Sequence, residues 1–229
     1  MRKLLLSSYL ILLISFVTEA QRRYGLIDKR NASTGTIIFS LGPEFCFTDT
    51  KATPYTQNIL KNKDLSVGFR VRYPNNFGYK TQINYTDITG SDGSSNSRNY
   101  SFSSKIWQMS IQGEYTINFG ESYRQLSPPH SIYFFLGVGL LNSTADLNYD
   151  KRARYLYKTS HDNQYDINKI FPLGFGYQYN FYNNFLVGIE YNIKYTTSDY
   201  IDGFKPPYPE SKSNDIFEGL SLTVGYKIF

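Results

Sequence analysis

Leu65-Ser66-Val67-Gly68-Phe69-Arg70-Val71-Arg72-Tyr73 alternates large apolar residues with small or charged ones over nine positions without a break. Successive strand side chains point to opposite faces, so Leu65, Val67, Phe69, Val71 and Tyr73 share one face and Ser66, Gly68, Arg70 and Arg72 the other. A tilted strand of about that length crosses a bilayer. Parity alone does not decide which face is wet, because a soluble barrel with an apolar interior shows the same alternation.

The start of the chain bears on that choice. Met1-Arg2-Lys3 is basic, Leu4 to Val17 is almost wholly apolar, and Thr18-Glu19-Ala20 supplies a small residue before a cut. Residues 1–20 therefore read as a secretory signal peptide. Residues 21–34 follow as a periplasmic N-terminal segment, and 35–229 as the barrel. Arg2, Lys3 and Glu19 leave with the signal, so the formal charge of +5 falls by one. No other run is long and apolar enough for a membrane helix. Cys46 lies far from the cut and has no second cysteine to pair with, so it reads as inert packing.

Aromatic residues make up 17% of the chain, with 22 Tyr, a residue that favours the membrane interface. The basic residues are scattered, with no Lys/Arg face beside stacking aromatics, which argues against a nucleic-acid partner. A negative mean hydropathy excludes a helical membrane bundle but not a β-barrel, in which every second residue can be polar.

Seven further segments repeat the pattern. Their apolar faces are Ile37, Phe39, Leu41 and Phe45; Phe77, Tyr79, Ile83 and Tyr85; and Trp107, Met109, Ile111, Tyr115, Ile117 and Phe119. Then come Ile132, Phe134, Leu136, Val138 and Leu140; Phe171, Leu173, Phe175, Tyr177 and Tyr179; Phe185, Val187, Ile189, Tyr191, Ile193 and Tyr195; and Leu220, Leu222, Val224, Tyr226 and Ile228. Pro74-Asn75-Asn76 and Tyr182-Asn183-Asn184 are tight turns, whereas 48–64, 89–103, 142–168 and 197–215 are long polar connections. Short turns at one end and long loops at the other are the habit of outer-membrane barrels, with the turns in the periplasm. The connection Gly120 to His130, containing Pro128-Pro129, is a longer turn and a candidate contact surface.

The expectation is thus an all-β, eight-stranded antiparallel transmembrane β-barrel in the outer membrane of a Gram-negative bacterium, apolar face to lipid. Glu44, Arg70, Arg72, Lys80, Glu114, Glu190 and Lys194 then enter the lumen. Eight strands leave room for side chains and little for solvent, so these charges must pair there, as a plug rather than a pore. Outer-membrane lipid, lipopolysaccharide and the barrel-assembly machinery are the expected partners.

Chemistry is sparse. Ser160, His161 and Asp162 are neighbours in a loop, which does not make a triad, and His130 falls on a turn. Asp162, Asn163, Asp166 and Asn168 lack the spacing and the sharp Gly turn of a calcium loop. We therefore expect no enzymatic activity, cofactor or metal. Lys151, Arg152 and Arg154 lie in an outer loop, where Arg binds phosphate bidentately, and are candidates for lipopolysaccharide contact.

Tyr226-Lys227-Ile228-Phe229 resembles the C-terminal assembly signal of outer-membrane proteins, carried by Tyr226, Ile228 and Phe229. Thr197-Ser198-Asp199-Tyr200-Ile201-Asp202-Gly203 and Asn214-Asp215-Ile216-Phe217-Glu218-Gly219-Leu220-Ser221-Leu222-Thr223 resemble the T-D-Y-[LI]-D and N-D-x-[FY]-x-x-G-[LV]-S-[LI] segments of the small Bacteroidetes outer-membrane barrels related to PorG. Gly42 to Asp49 is similar to their first strand and its exit, with Phe and Thr where that family carries Tyr and Gly. The resemblance implies a component of the type IX secretion system that contacts periplasmic secretion-ring proteins through its turns. The alternative is an OmpA/OmpX-like structural or adhesion barrel that binds ligands or lipopolysaccharide through its outer loops.

Overall fold

A computed structural model describes residues 33–47, 62–91, 101–119, 129–148, 166–181, 184–197, 201 and 215–228. They form β1 (Thr34–Phe47), β2 (Lys63–Arg72), β3 (Phe77–Ser91), β4 (Ser101–Phe119), β5 (His130–Asn148), β6 (Asp166–Asn180), β7 (Phe185–Thr196) and β8 (Ile216–Lys227). Each strand pairs antiparallel with its sequence neighbour, and β1 pairs with β8 to close the barrel. Closure leaves no sheet edge, the condition a β-structure must meet where no water is present to satisfy the backbone. The last bond of the β1–β8 seam runs from Ile228 N–H to the Gly35 carbonyl at 2.8 Å.

The faces sort by parity. Phe39, Leu41, Leu65, Val67, Trp107, Ile111, Leu136, Leu140, Ile189 and Leu222 all point outward and are exposed. Ser40, Glu44, Asp64, Arg70, Lys80, Gln112, Glu114, Glu190 and Lys194 point inward and are buried. This inverts the arrangement of a water-soluble barrel, and it selects between the two readings that alternation alone left open. Phe69 and Val71 are a local exception. Their register with Ile37 and Gly35 puts them on the outward face, yet they are only 6% and 7% exposed.

Two hairpins at the turn end share the same closing bond. Tyr73 N–H donates to the Phe77 carbonyl and Phe181 N–H to the Phe185 carbonyl, both at 2.8 Å, and three residues bridge each pair. Asn76 and Asn184, the last residue of each bridge, have φ of 68° and 63°. A three-residue loop ending in a left-handed residue matches the right-handed twist of the strands it joins, and Asn tolerates that conformation.

At the opposite, long-loop end, β3, β4 and β5 run farther than their apolar outward residues suggest. Positions 89–91, 101–103 and 142–148, expected in connections, are strand. Beyond Tyr85, Trp107 and Leu140 the outward residues become Asp87, Thr89, Ser103, Lys105, Asn142, Thr144 and Asp146, while the inward ones become Ile88, Phe102, Ile106, Leu141 and Ala145. The alternation continues with its polarity reversed. Reading apolar-out alone therefore ends these strands too early.

Asn76→Gly and Asn184→Gly are expected to leave stability nearly unchanged, whereas Val at either position costs about 1–2 kcal/mol, the penalty a side chain meets in the left-handed region. Equilibrium urea unfolding of the detergent-refolded protein measures the difference; equal stability of the Gly and Val variants would refute this account of the turns.

Candidate functional site

The middle of the lumen is an ionic cluster drawn from four strands. Register sets Arg70 of β2 directly opposite Lys80 of β3, a like-charge pair that destabilises a sheet on its own. Two carboxylates answer it. Arg70 Nε lies 2.7 Å from Glu114 Oε2, and Arg70 Nη2 donates to Glu114 Oε1 at 3.0 Å, a two-point contact suited to a planar guanidinium. Lys80 Nζ donates to Glu190 Oε2 at 2.8 Å and to Oε1 at 3.0 Å, reaching across the lumen from β3 to β7. Each carboxylate also lies 3.9 Å from the other's cation, so the four charges form one network.

Two aromatic rings line this network. Arg70 sits 4.3 Å from the centroid of the Tyr133 ring and Lys80 4.4 Å from that of Phe135, within cation–π range. Tyr133 donates its hydroxyl to Glu190 Oε2 at 2.9 Å. These rings fit because their cross-strand partners are Gly176 and Gly174, where a Cβ would run into the Tyr133 and Phe135 rings. The Gly-Phe-Gly step of β6 thus makes room for the aromatics of β5.

A second group lies nearer the loop end. Lys194 Nζ is 2.5 Å from Glu44 Oε1 and 3.7 Å from Asp64 Oδ2. Asn84 Nδ2 donates to Asp64 at 2.9 Å, and the Thr86 hydroxyl lies 2.7 Å from Asp64 and 3.0 Å from Glu44. The free space between the two groups is a small void lined by Asp64, Gln82, Gln108, Gln112, Asn192 and Lys194, among others.

Above these charges the interior turns apolar. Cys46, Ile88, Phe102, Ile106, Leu141, Ile170, Ile201 and Phe217 form a single buried cluster. Ile201 comes from the connection after β7 rather than from a strand, and it is completely buried. Its N–H donates to Asp215 Oδ2 at 3.0 Å, its carbonyl accepts from the Ser104 hydroxyl, and the Asp215 carbonyl accepts from Thr196 Oγ1 at 2.8 Å. The two segments that carry the family resemblance meet at this point, Ile201 from one and Asp215 and Phe217 from the other. They pin an apolar stopper in the mouth of the barrel.

Six of the seven expected lumen residues, Glu44, Arg70, Lys80, Glu114, Glu190 and Lys194, make the ion pairs described. Arg72 faces inward as well, but its side-chain bond is to a neutral group, Gln178 Oε1 at 3.3 Å. Asp64, Tyr133 and Gln178 belong to the network although sequence pattern does not single them out. Asp64 escapes notice because the apolar run begins one residue later, at Leu65. His130 lies in the outward aromatic collar of the turn end, with Nδ1 2.7 Å from the Tyr177 hydroxyl and the ring stacked 5.5 Å from Phe119. Tyr226 packs against Phe185 at 5.1 Å and, like Ile228, is exposed on the outward face.

Lys151, Arg152, Arg154, Ser160, His161, Asp162, Phe229 and residues 1–32 lie outside the described residues. Among the described residues, no group of three or more His, Cys, Asp or Glu side chains is placed to hold a metal ion.

A family model described as Domain of unknown function (DUF6089) matches residues 37–223. Among solved structures, Neisserial surface protein A, from Neisseria, superposes with a TM-score of 0.53 at 11% identity, covering 86% of this chain and 99% of that one. A major outer membrane protein from Thermus thermophilus superposes with a TM-score of 0.51 at 12% identity, covering 86% and 100%. No curated protein matches the chain in sequence. At such identities the likeness is one of fold, and the fold is that of the outer-membrane barrels.

Replacing Glu190 alone with Leu strands Lys80 among buried groups and is expected to cost about 3–5 kcal/mol, whereas the double variant Lys80→Met/Glu190→Leu costs less than the single change. Urea unfolding of both variants tests this; a double variant as unstable as the single one, or more so, would contradict the pairing.

Proposed function

We propose that this chain, which belongs to the family described as Domain of unknown function (DUF6089), is a non-enzymatic contact protein of the outer membrane rather than a channel or a catalyst. The observation that carries this reading is the double seal of the lumen. An ion-paired plug fills the middle, and an apolar stopper holding Ile201 closes the loop end. A barrel sealed in this way has only its two ends with which to act on anything else. The outward belt takes lipid as its solvent, and the ion-paired residues of the lumen hold strand register.

The finer role is a PorG-like component of the type IX secretion system that meets periplasmic secretion-ring proteins through its turns. The two segments that resemble that family support it, as does the long connection between β4 and β5 at the turn end. In this reading residues 1–20 are a cleaved signal peptide, and residues 21–34 lie in the periplasm. Tyr226, Ile228 and Phe229 serve the assembly machinery, and Lys151, Arg152 and Arg154 lie against lipopolysaccharide. The second reading, an adhesion or surface-binding barrel, is favoured by the protruding ends of β3, β4 and β5, which carry a polar outer surface beyond the apolar belt.

Crosslinking in intact cells separates the two. A photoreactive residue at position 124 is expected to capture a periplasmic protein, and one at position 156 only lipopolysaccharide or nothing; the reverse result transfers the function to the outer loops. In planar bilayers the protein is expected to show no steady porin-sized current. Leu136→Arg, in the lipid-facing belt, is expected to destabilise the vesicle-inserted protein by about 2–4 kcal/mol in urea titrations, and an unchanged midpoint would reject the lipid-facing assignment.

A further inference from the structure

We propose that the turn end of the lumen is a binding site for a dianionic phosphate, held between Arg72 and Lys227. The site is distinct from the ionic plug above it. Arg70 and Lys80 are matched by Glu114 and Glu190, and Lys194 faces two carboxylates, Glu44 and Asp64. Arg72 and Lys227 have no carboxylate within ion-pair reach among the described residues.

Both cations point inward, flanking the start of β1, where Thr34 pairs with Arg72 and Thr36 with Lys227. Register sets them on the two strands beside β1, two residues apart along it, and Arg72 follows Arg70 on the same inward face of β2. Arg72 bonds the Gln178 side-chain oxygen at 3.3 Å, but Arg70 already holds that oxygen at 2.8 Å. Arg72 Nε is buried and has no hydrogen-bond partner. Two half-buried positive charges held together at a mouth, one with an unused donor, call for an anion.

Charge decides its class. A lone carboxylate neutralises one of the two cations, whereas a phosphate monoester or inorganic phosphate, carrying nearly two negative charges near neutral pH, neutralises both. The guanidinium binds phosphate oxygens in a fork, and the ammonium supplies a compact second charge. Free phosphate and a phosphomonoester headgroup share this chemistry. The inference goes beyond the contact role proposed above and does not rest on it, because a detergent-solubilised barrel binds irrespective of orientation.

Isothermal titration of the folded, detergent-solubilised mature protein with inorganic phosphate, at fixed ionic strength against chloride, tests the site. Saturable phosphate binding is expected, weakened at least about tenfold in Lys227→Gln and in Arg72→Gln, the loss of one charge-assisted bond. Lys227 lies at the rim, so its variant keeps the test available if Arg72→Gln does not fold. Vesicles with and without phosphatidic acid then distinguish a lipid headgroup from free phosphate as the source. Phosphate behaving like chloride, binding unchanged in Lys227→Gln, or capture of a poly-glutamate peptide without phosphate binding would each overturn the proposal. Failure here leaves the crosslinking result untouched.

Discussion

Four charges from four strands meet in the lumen without bulk water to separate them, and the rest of the barrel is arranged around keeping them neutral as a set. Arg70 and Lys80 face each other by strand register, which alone is repulsive. Glu114 from the next strand and Glu190 from across the barrel convert the repulsion into a network in which each ion has more than one partner. Burying ions in this way is costly unless geometry and hydrogen bonding are nearly complete. Tyr133 helps complete them, and it has room only because Gly176 sits beneath its ring. The same requirement ties β2, β3, β4, β5, β6 and β7 to one register, because a slip of a single residue would turn each charge outward.

The reversal of polarity along β3, β4 and β5 marks where that logic ends. Within the belt, apolar residues face out and charges face in. Beyond Tyr85, Trp107 and Leu140 the same strands carry polar residues outward and Ile88, Phe102, Ile106 and Leu141 inward. The solvent outside has changed, and the interior has changed with it to an ordinary apolar core. Ile201 completes that core from outside the strands, and Asp215 holds its backbone. The barrel is thus two structures in series along common strands, a membrane section sealed by ions and an outer section sealed by hydrocarbon side chains.

In the contact role proposed above, a sealed interior moves function to the ends, and the ends differ. One carries Asn76 and Asn184 at its tight turns and a collar of aromatic side chains, among them Phe119, His130, Tyr177 and Tyr179. Just inside it, Arg72 and Lys227 lie without carboxylate partners among the described residues. The other end projects strands with a polar outer surface. This asymmetry distinguishes one side of the protein from the other.

Strand count, the facing of the residues within the lipid belt, the positions of the tight turns and most of the charges that enter the lumen are legible in the chain alone. They follow from a period of two and from turn chemistry, which are local. Where β3, β4 and β5 end is not legible there, because the rule that apolar residues face out holds only while lipid is outside, and the depth of lipid is not written into any single strand. Nor is the choice of which charges pair. Lys80 and Glu190 are 110 residues apart and meet only because strand tilt and stagger in a closed barrel bring β3 and β7 face to face. Asp64, the Tyr133–Gly176 fit and the Ile201 stopper belong to that same level, settled by closure of the sheet upon itself.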